Sequence, residues 1–501
     1  MHNEAGRPLY RAAQVGELDQ RTIAAGIEGF ALMQRAAAAA YRRLRERWPA
    51  ARRLSVFCGA GNNAGDGYVI AALAALDGLD VQLYSLRYPA ALQGDAGRAA
   101  MMARQAGVGM STWTAEDSLD GELIVDALLG TGLAGEVRSP FDAAIEAINA
   151  SASPVLAVDI PSGLSADTGA VLGSAVRASL TVTFIADKLG LHTGAGPACC
   201  GEVRLEALGV EPLDHADIEP AAWRLGADTA LPPRDRDSHK GAFGHVLVIG
   251  GAPGFGGAAL LASQAAARLG AGKVSLATAP EHVTASLTRC PEVMVHGARN
   301  ANDLGSLLSA ATVLVVGPGL GLGAWGQSML QAALGAGKPL VVDADALNLL
   351  ASHWPDVGRD DWLLTPHPGE AARLLGSNGA AIEADRPKAA RSLVDRYGGV
   401  MVLKGAGSLV ADAQDLAVCP FGNPGMASGG MGDVLSGILG ALIAQGLSLP
   451  EAARLGVVLH ARAADQAVAE AGERGLLAGD LASYARRLIN GRKDDVRDTS
   501  G

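Results

Sequence analysis

The sequence predicts an α/β protein of two domains, each a largely parallel sheet with helices on both faces, and three observations carry that expectation. Short apolar runs alternate with Ala-rich helical segments along the whole chain, the rhythm of parallel strands joined by crossover helices. At 501 residues the chain exceeds what one hydrophobic core ordinarily holds, so two cores are expected. Near the middle, residues 211–237 (EPLDHADIEPAAWRLGADTALPPRDRD) lose both periodicities and gather Pro, Asp and Arg, as a domain connection does. The boundary is expected near Leu225, with domains at 1–222 and 226–493.

Composition bounds the function. Hydrophobic residues make up 49%, aromatics 4%, and Gly numbers 66, which describes a compact, small-residue-rich protein rather than a disordered one. A formal net charge of −11 argues against a nucleic-acid partner, so any bound phosphate must be held locally by glycine loops and single lysines. Cys58, Cys199, Cys200, Cys290 and Cys419 are odd in number and lack CxxC spacing, which points to free thiols in a reducing compartment. The start, MHNEAGRPLYRAAQ, has no apolar signal core, and no apolar run reaches the roughly 18 residues of a membrane span. A cytoplasmic protein with no membrane partner is expected.

In the first half, residues 9–48 carry apolar positions at helical spacing. Residues 54–58 (LSVFC) then form a strand that runs into the Gly-rich turn GAGNNAGDG, and further strands are expected at 81–86, 123–127, 155–159 and 180–185. Strand, Gly-rich turn and helix in that order put ligands at the carboxyl ends of strands. Asn62, Asn63 and Asp66 sit in the first turn, and Asp126 and Asp159 end two strands. A buried, unpaired carboxylate is costly, so these two require a cation, a lysine or arginine, or ligand hydroxyls. Oxygen groups drawn from Asn63, Asp126 and Ser162 suit a hard cation; Asx turns are the bland alternative for Asn62, Asn63 and Asp66.

GNNAGDG at 61–67, DALLGTG at 126–132, DIPSG at 159–163 and FIADKLGLHTGAG together resemble the epimerase family that acts on hydrated NADH and NADPH, over nearly all of residues 1–215. The resemblance implies a Rossmann-like, three-layer domain that interconverts the C6 epimers of the hydrated cofactor and holds a potassium ion. By that match Asn63, Asp126 and Ser162 are the K+ ligands. Asn62, Asn63, Ala64, Gly65, Asp66, then Gly130, Thr131, Gly132, Leu133, Ala134, Gly135, Glu136, and Asp159 are the substrate loops. Ala64 stands where the family usually has glycine. Asp159 is the candidate for proton transfer, with Asp187 and Lys188 as helpers; an exposed loop lysine is the competing reading of Lys188.

In the second half, a strand at 245–249 and a small-residue helix at 257–269 open a new unit, with strands expected at 274–277, 313–316, 340–342, 362–365 and 400–403. Lys404 ends the last of these and is followed by Gly405, Ala406, Gly407 and Ser408, a point charge with free backbone donors suited to a diphosphate. The alternative is a solvated lysine beside a hairpin turn. His367, between two prolines, and Asp343 and Asp345 each have a structural alternative, as a satisfied histidine and as helix caps.

The strongest signal is FGNPGMASGGMGD followed by an apolar helix from Val434. A glycine loop entering a helix presents unpaired N–H groups from Ser428, Gly429, Gly430, Met431 and Gly432 to an anion. A carboxylate among such donors repels phosphate, so Asp433 reads as a general base for a hydroxyl that meets a phosphoryl group, against the alternative of a helix cap.

GPGLG at 317–321, VDADALN, TPHPGE, KGAGS and GNPGMASGGMGD jointly resemble the ADP-dependent hydrated-NAD(P)H dehydratase family, whose fold is similar to ribokinase, over about residues 226–492. Both halves on one chain resemble the bifunctional repair enzymes of hydrated nicotinamide cofactors. The resemblance places Ala258, Gly321, His367 and Asp433 on the substrate NADHX or NADPHX, and Lys404 to Ser408 with Gly432 on ADP. Mg²⁺ is weighed as an assistant, though no dedicated oxygen cage is readable. Transient phosphorylation of the C6 hydroxyl, with Asp433 as base, then gives reduced cofactor and phosphate. A homo-oligomer is expected. The rival is a ribokinase-like vitamin-precursor kinase fused to a ligand-binding regulatory domain, separated from the first reading by its stable phosphorylated product.

Overall fold

The computed structural model describes residues 6–491 except 88, 118, 212–214 and 216. Residues 1–5, part of the expected linker, and positions 492–493 of the expected second domain therefore lie outside the described residues. The described chain divides into two compact units, residues 8–222 and residues 6–7 with 223–491. Among the described residues no helix is long and apolar enough to cross a membrane, and all five cysteines are free and buried.

The first unit is built on a seven-stranded sheet that runs, edge to edge, Gly109–Thr112, Asp80–Ser85, Arg53–Cys58, Leu123–Ala127, Val155–Val158, Leu180–Phe184 and Glu202–Glu206. Every neighbouring pair is parallel. The chain fills the sheet outward in both directions from Arg53–Cys58, so the topological switch lies beside Leu123–Ala127, where a crevice opens at the strand ends. The helix Asn62–Leu76 leaves that switch point and buries most of its length in the core with Val56, Val125 and Leu83.

The expected strands are all present, with shifted ends. Residues 155–159 stop at Val158 and residues 180–185 at Phe184 because Asp159 and Ile185 take left-handed conformations, φ 67° and 66°. For side chains that bear a Cβ this is costly, and such residues collect where a structure needs an unusual side-chain direction. The expected helical region 9–48 is two helices, Ala12–Ala24 and Gly29–Arg47, broken by Gly26 at φ 110°.

The second unit holds a mixed sheet in the order Ala222–Arg224, Leu416–Val418, Leu409–Ala411, Val400–Leu403, Trp362–Leu364, Leu340–Val342, Val313–Val316, His245–Ile249, Lys273–Thr278, Met294–Gly297. Pairing is parallel from Val400–Leu403 to Met294–Gly297 and antiparallel through the hairpin that follows Val400–Leu403. The helix Met431–Ala444 lies under this sheet, its apolar residues in the core with Val246, Val315 and Ala262. Gly437 permits that position: a Cβ there would sit 2.0 Å from the Ala262 carbonyl oxygen, so the helix Gly256–Arg268 meets it backbone to backbone.

Candidate active sites

In the first unit the switch point opens into a cavity of about 680 Å³ lined by Asn62, Asn63, Asp66, Asp159 and the loop from Gly130 through Thr131, Gly132, Leu133 and Ala134. Those sequence-predicted residues are therefore brought together. Ala64 and Gly65 instead face inward from the first turn of the helix: Ala64 is fully buried in the core, and a Cβ on Gly65 would strike the Met33 side chain at 2.5 Å. Gly135 and Glu136 are exposed and outside the lining.

Asp159 accepts from Lys188 Nζ at 2.7 Å, from Thr183 Oγ1 at 3.2 Å and from the Phe184 N–H at 3.1 Å. Lys188 is fully buried and also donates to Thr183 Oγ1 at 2.7 Å, so it is not the exposed loop lysine that one reading of the sequence allowed. Asp187 turns away from this pair, accepting from the Lys188 N–H at 2.9 Å and hydrogen-bonding His192 Nε2 at 2.7 Å. Asp66 lies in the same cavity; burial, then the charges of Asp159 and Asp19, hold its carboxyl well above the usual range.

Asp126 is completely buried and accepts from Ser162 Oγ at 2.6 Å, the Ser162 N–H at 2.8 Å and the Leu128 N–H at 3.2 Å. Burial raises it to about 6, against those hydrogen bonds. The Asn63 amide has both its oxygen and its nitrogen buried without a hydrogen-bond partner. Asn63 adjoins Gly130, whose missing Cβ would lie 3.1 Å from the Asn63 Cβ, and the neighbouring Leu129 N–H donates to Ser162 Oγ at 2.8 Å. An orphaned amide, with a carboxylate and a hydroxyl reached through the adjoining 129–130 backbone, is an oxygen-donor set that fits a weakly polarising cation. Among the described residues no group of three or more His, Cys, Asp or Glu is arranged to hold a metal.

In the second unit Lys404 begins the turn between Val400–Leu403 and Leu409–Ala411, so the hairpin reading was right about the backbone. The side chain is ion-paired and only 20% exposed, however. Its ammonium donates to Asp343 Oδ1 at 2.7 Å and lies 3.9 Å from Glu370 Oε2. Asp343, 1% exposed, also accepts from Thr365 Oγ1 at 2.8 Å and Ser436 Oγ at 2.7 Å. Burial works to raise Asp343, but Lys404 and the two hydroxyls outweigh it and leave the carboxylate below its ordinary range. The capping reading of Asp343 and Asp345 is corrected: the helix Asp345–His353 is entered through Ala344 without a side-chain cap, and Asp345 Oδ2 accepts from the Gly321 N–H at 2.8 Å.

Beneath residues 404–408 the buried Arg386 guanidinium donates to the Leu403 and Lys404 carbonyls at 3.3 and 3.1 Å, and Ser408 Oγ closes the turn onto the Gly405 carbonyl at 3.0 Å. Ala406 is exposed on the turn, and Gly407 is buried at φ 61°. Gly432, on the first turn of the facing helix, leaves room for the ammonium: a Cβ there would stand 3.2 Å from Lys404 Nζ.

Asp433 follows Gly432. The helix is capped by the left-handed Gly430, φ 89°, with no side-chain cap hydrogen bond, so Asp433 is not a cap. Half-buried, its carboxylate makes no hydrogen bond or ion pair among the described residues. Burial, then Asp343 and Asp345, raise it to about 7, with Lys404 opposing. His367 does cap a helix, Pro368–Leu375, accepting from the Gly369 N–H at 3.0 Å while Glu370 accepts from the His367 N–H at 2.8 Å. Ala258 packs beside Gly319 of the GPGLG turn.

A doubly wound sheet with a polar cavity at its switch point, joined to an α/β unit with a lysine hairpin facing a glycine-entered helix and a free carboxylate, defines a two-domain enzyme acting on phosphate-bearing small molecules. Family models match both parts: YjeF-related protein N-terminus at residues 29–190 and NAD(P)H-hydrate dehydratase at 246–487. The chain is 50% identical over 487 residues to the bifunctional NAD(P)H-hydrate repair enzyme Nnr of Coxiella burnetii, covering 96% of this chain and 99% of that one. It is 46% identical to the Escherichia coli K12 enzyme of the same name, covering 93% and 90%. Among solved structures, an ADP/ATP-dependent NAD(P)H-hydrate dehydratase from Bacillus subtilis, co-crystallised with ATP/Mg2+, is 28% identical with a TM-score of 0.47, covering 53% of this chain and 96% of that one. The chain belongs to the family of bifunctional NAD(P)H-hydrate repair enzymes.

Proposed function

We propose that residues 1–222 interconvert the C6 epimers of NADHX and NADPHX, and that residues 226–493 dehydrate the S epimer at the expense of ADP, giving AMP and phosphate. The observation that carries the second half is the state of Asp433: half-buried, unpartnered, raised to about 7 and next to Lys404. A group with that affinity for protons is matched to removing one from a hydroxyl near neutral pH. Asp433 takes the proton of the C6 hydroxyl, and the oxygen accepts the terminal phosphoryl of ADP. The C6–O bond then breaks as the ring nitrogen pushes phosphate out, and loss of a proton from C5 restores the dihydronicotinamide. Lys404, the N–H groups of residues 405–408 and Gly432 hold the diphosphate, while Ala258, Gly321 and His367 border the nicotinamide side. Mg²⁺, when bound, would neutralise phosphate charge.

In the first half, Asp159 and Lys188 move the proton in epimerisation, and Asn62, Asp66 and the loop 130–134 bind the substrate. Asn63, Asp126 and Ser162 would hold K+, which would satisfy the orphaned Asn63 amide and position substrate oxygens. Free, buried cysteines accord with a reducing, cytoplasmic setting. A homo-oligomer is our reading of the assembly, checked by sedimentation.

The test is incubation of mixed epimers with ADP, following each epimer, reduced-nicotinamide absorbance and phosphate. Both epimers should be consumed with stoichiometric phosphate. Accumulation of a stable phosphorylated metabolite would instead favour the kinase reading.

A further inference from the structure

Lys404 acts on the nucleotide side of the proposed reaction and Asp433 on the hydroxyl, and one buried side chain contacts Lys404 and the helix that carries Asp433. Asp343 ends the strand Leu340–Val342, is 1% exposed, and has each carboxylate oxygen occupied: Oδ1 by Lys404 Nζ at 2.7 Å and Thr365 Oγ1 at 2.8 Å, Oδ2 by Ser436 Oγ at 2.7 Å. Ser436 belongs to the same helix as Asp433. The missing Cβ of Gly432 would lie 3.5 Å from Asp343 Oδ2 and 3.2 Å from Lys404 Nζ, so the carboxylate and ammonium meet directly beneath the helix entrance.

We propose that Asp343 is a positioning residue for the dehydratase: it fixes the Lys404 ammonium at the mouth of the phosphate-binding turn and, through Ser436, ties that ammonium to the helix that carries Asp433. The inference rests on the dehydratase reading of this site. A lysine on a hairpin turn has many accessible rotamers; a buried, triply hydrogen-bonded carboxylate selects one and spares ADP the cost of ordering it.

The charged groups around this centre are few. Asp433 faces Asp343, Asp345 and Lys404, while Lys404 faces Asp343, Glu370 and Asp433, with the burial-depressed His367 and His460 nearby. Neutralising Asp343 removes a negative neighbour of Asp433 and frees the lysine to approach it. Both changes strengthen the acid, so the pH limb of the rate moves to lower pH.

The experiment is a double-mutant cycle on ADP affinity, read by calorimetry on the full chain, with Asp343→Asn, Lys404→Ala and the pair. Asp343→Asn is expected to weaken ADP binding by about tenfold alone and by less than about threefold in the Lys404→Ala background. In parallel, the acid limb of kcat/KM should shift acidward in Asp343→Asn. Additive effects on ADP affinity, or an unmoved limb, would overturn the proposal. Asp343→Ser serves if the Asn variant fails to fold, since it also removes the charge. Because the affinity readout needs no hydrated cofactor, wild-type protein that binds ADP yet fails to dehydrate would refute the functional reading separately.

Discussion

The acid limb of dehydration is where the charge state of Asp433 becomes measurable. An ordinary aspartate is ionised throughout the neutral range, but burial, Asp343 and Asp345 lift Asp433 to about 7 while Lys404 only partly compensates. If only the ionised form removes the hydroxyl proton, about half the enzyme is competent at pH 7, about a tenth at pH 6 and about nine tenths at pH 8. kcat/KM for hydrated NADH at saturating ADP, followed by reduced-nicotinamide absorbance, should therefore fall about fivefold between pH 7 and 6. The sign for stability runs the other way. A carboxyl whose folded value is raised disfavours the fold increasingly as pH climbs from the unfolded range near 4, and the penalty is complete above about 7. Asp433→Asn should thus raise the Tm at pH 8 and leave it unchanged near pH 4. A rate flat from pH 7 down to 5, or an Asn variant less stable at pH 8, would refute the reasoning and return Asp433 to a structural role.

The same Asp433→Asn variant should lower dehydration by at least about a hundredfold while ADP affinity by calorimetry stays within about threefold, because the phosphate donors are elsewhere. Exchange of K+ for Na+ should slow epimerisation, read by resolving the two epimers, and leave dehydration of the S epimer unchanged. In Asn63→Ala the response to K+ should disappear, because the orphaned amide that calls for the ion is gone.

What the sequence reveals and what it hides divides along a physical line. Strand-end aspartates and glycine loops are local features, so Asp126, Asp159, Lys404 and Asp433 were legible from short windows. Ser162 and Lys188 were legible beside Asp126 and Asp159, but Lys188 was open to reading as an exposed loop lysine, and Lys404, 61 positions from Asp343, was not linked to it; no local pattern says whether a lysine is buried. Arg386, which supports the turn at Lys404 from below, carried no signal, because its role depends on the two carbonyls it meets in space. The strands Leu409–Ala411 and Leu416–Val418 are three residues each, too short for a period to register. The edge strand Glu202–Glu206 is largely exposed, so it lacks the apolar run that marked its neighbours.

The geometry of the second unit also accounts for the need of a first. Asp433 is fixed on the opening turn of a helix packed backbone to backbone, and Lys404 is fixed by Asp343 and by the turn that Arg386 supports. A rigid base and a rigid phosphate site define one side from which the C6 hydroxyl must present itself. With Asp433 as the proposed base, the opposite epimer would direct that hydroxyl away from it, and turning the ring over would displace the rest of the dinucleotide. Such a site would consume one epimer and leave the other, so complete repair would require exchange between them. In Asp159→Asn, which removes the charge facing Lys188 but keeps its hydrogen-bonding shape, an ADP-fuelled reaction on mixed epimers should burst to the S fraction and then creep at the spontaneous rate of interconversion. Wild-type protein should run to completion without a break. A variant that also runs to completion would show that exchange does not depend on Asp159, whereas a slowed burst would mean that the substitution reaches the dehydratase itself.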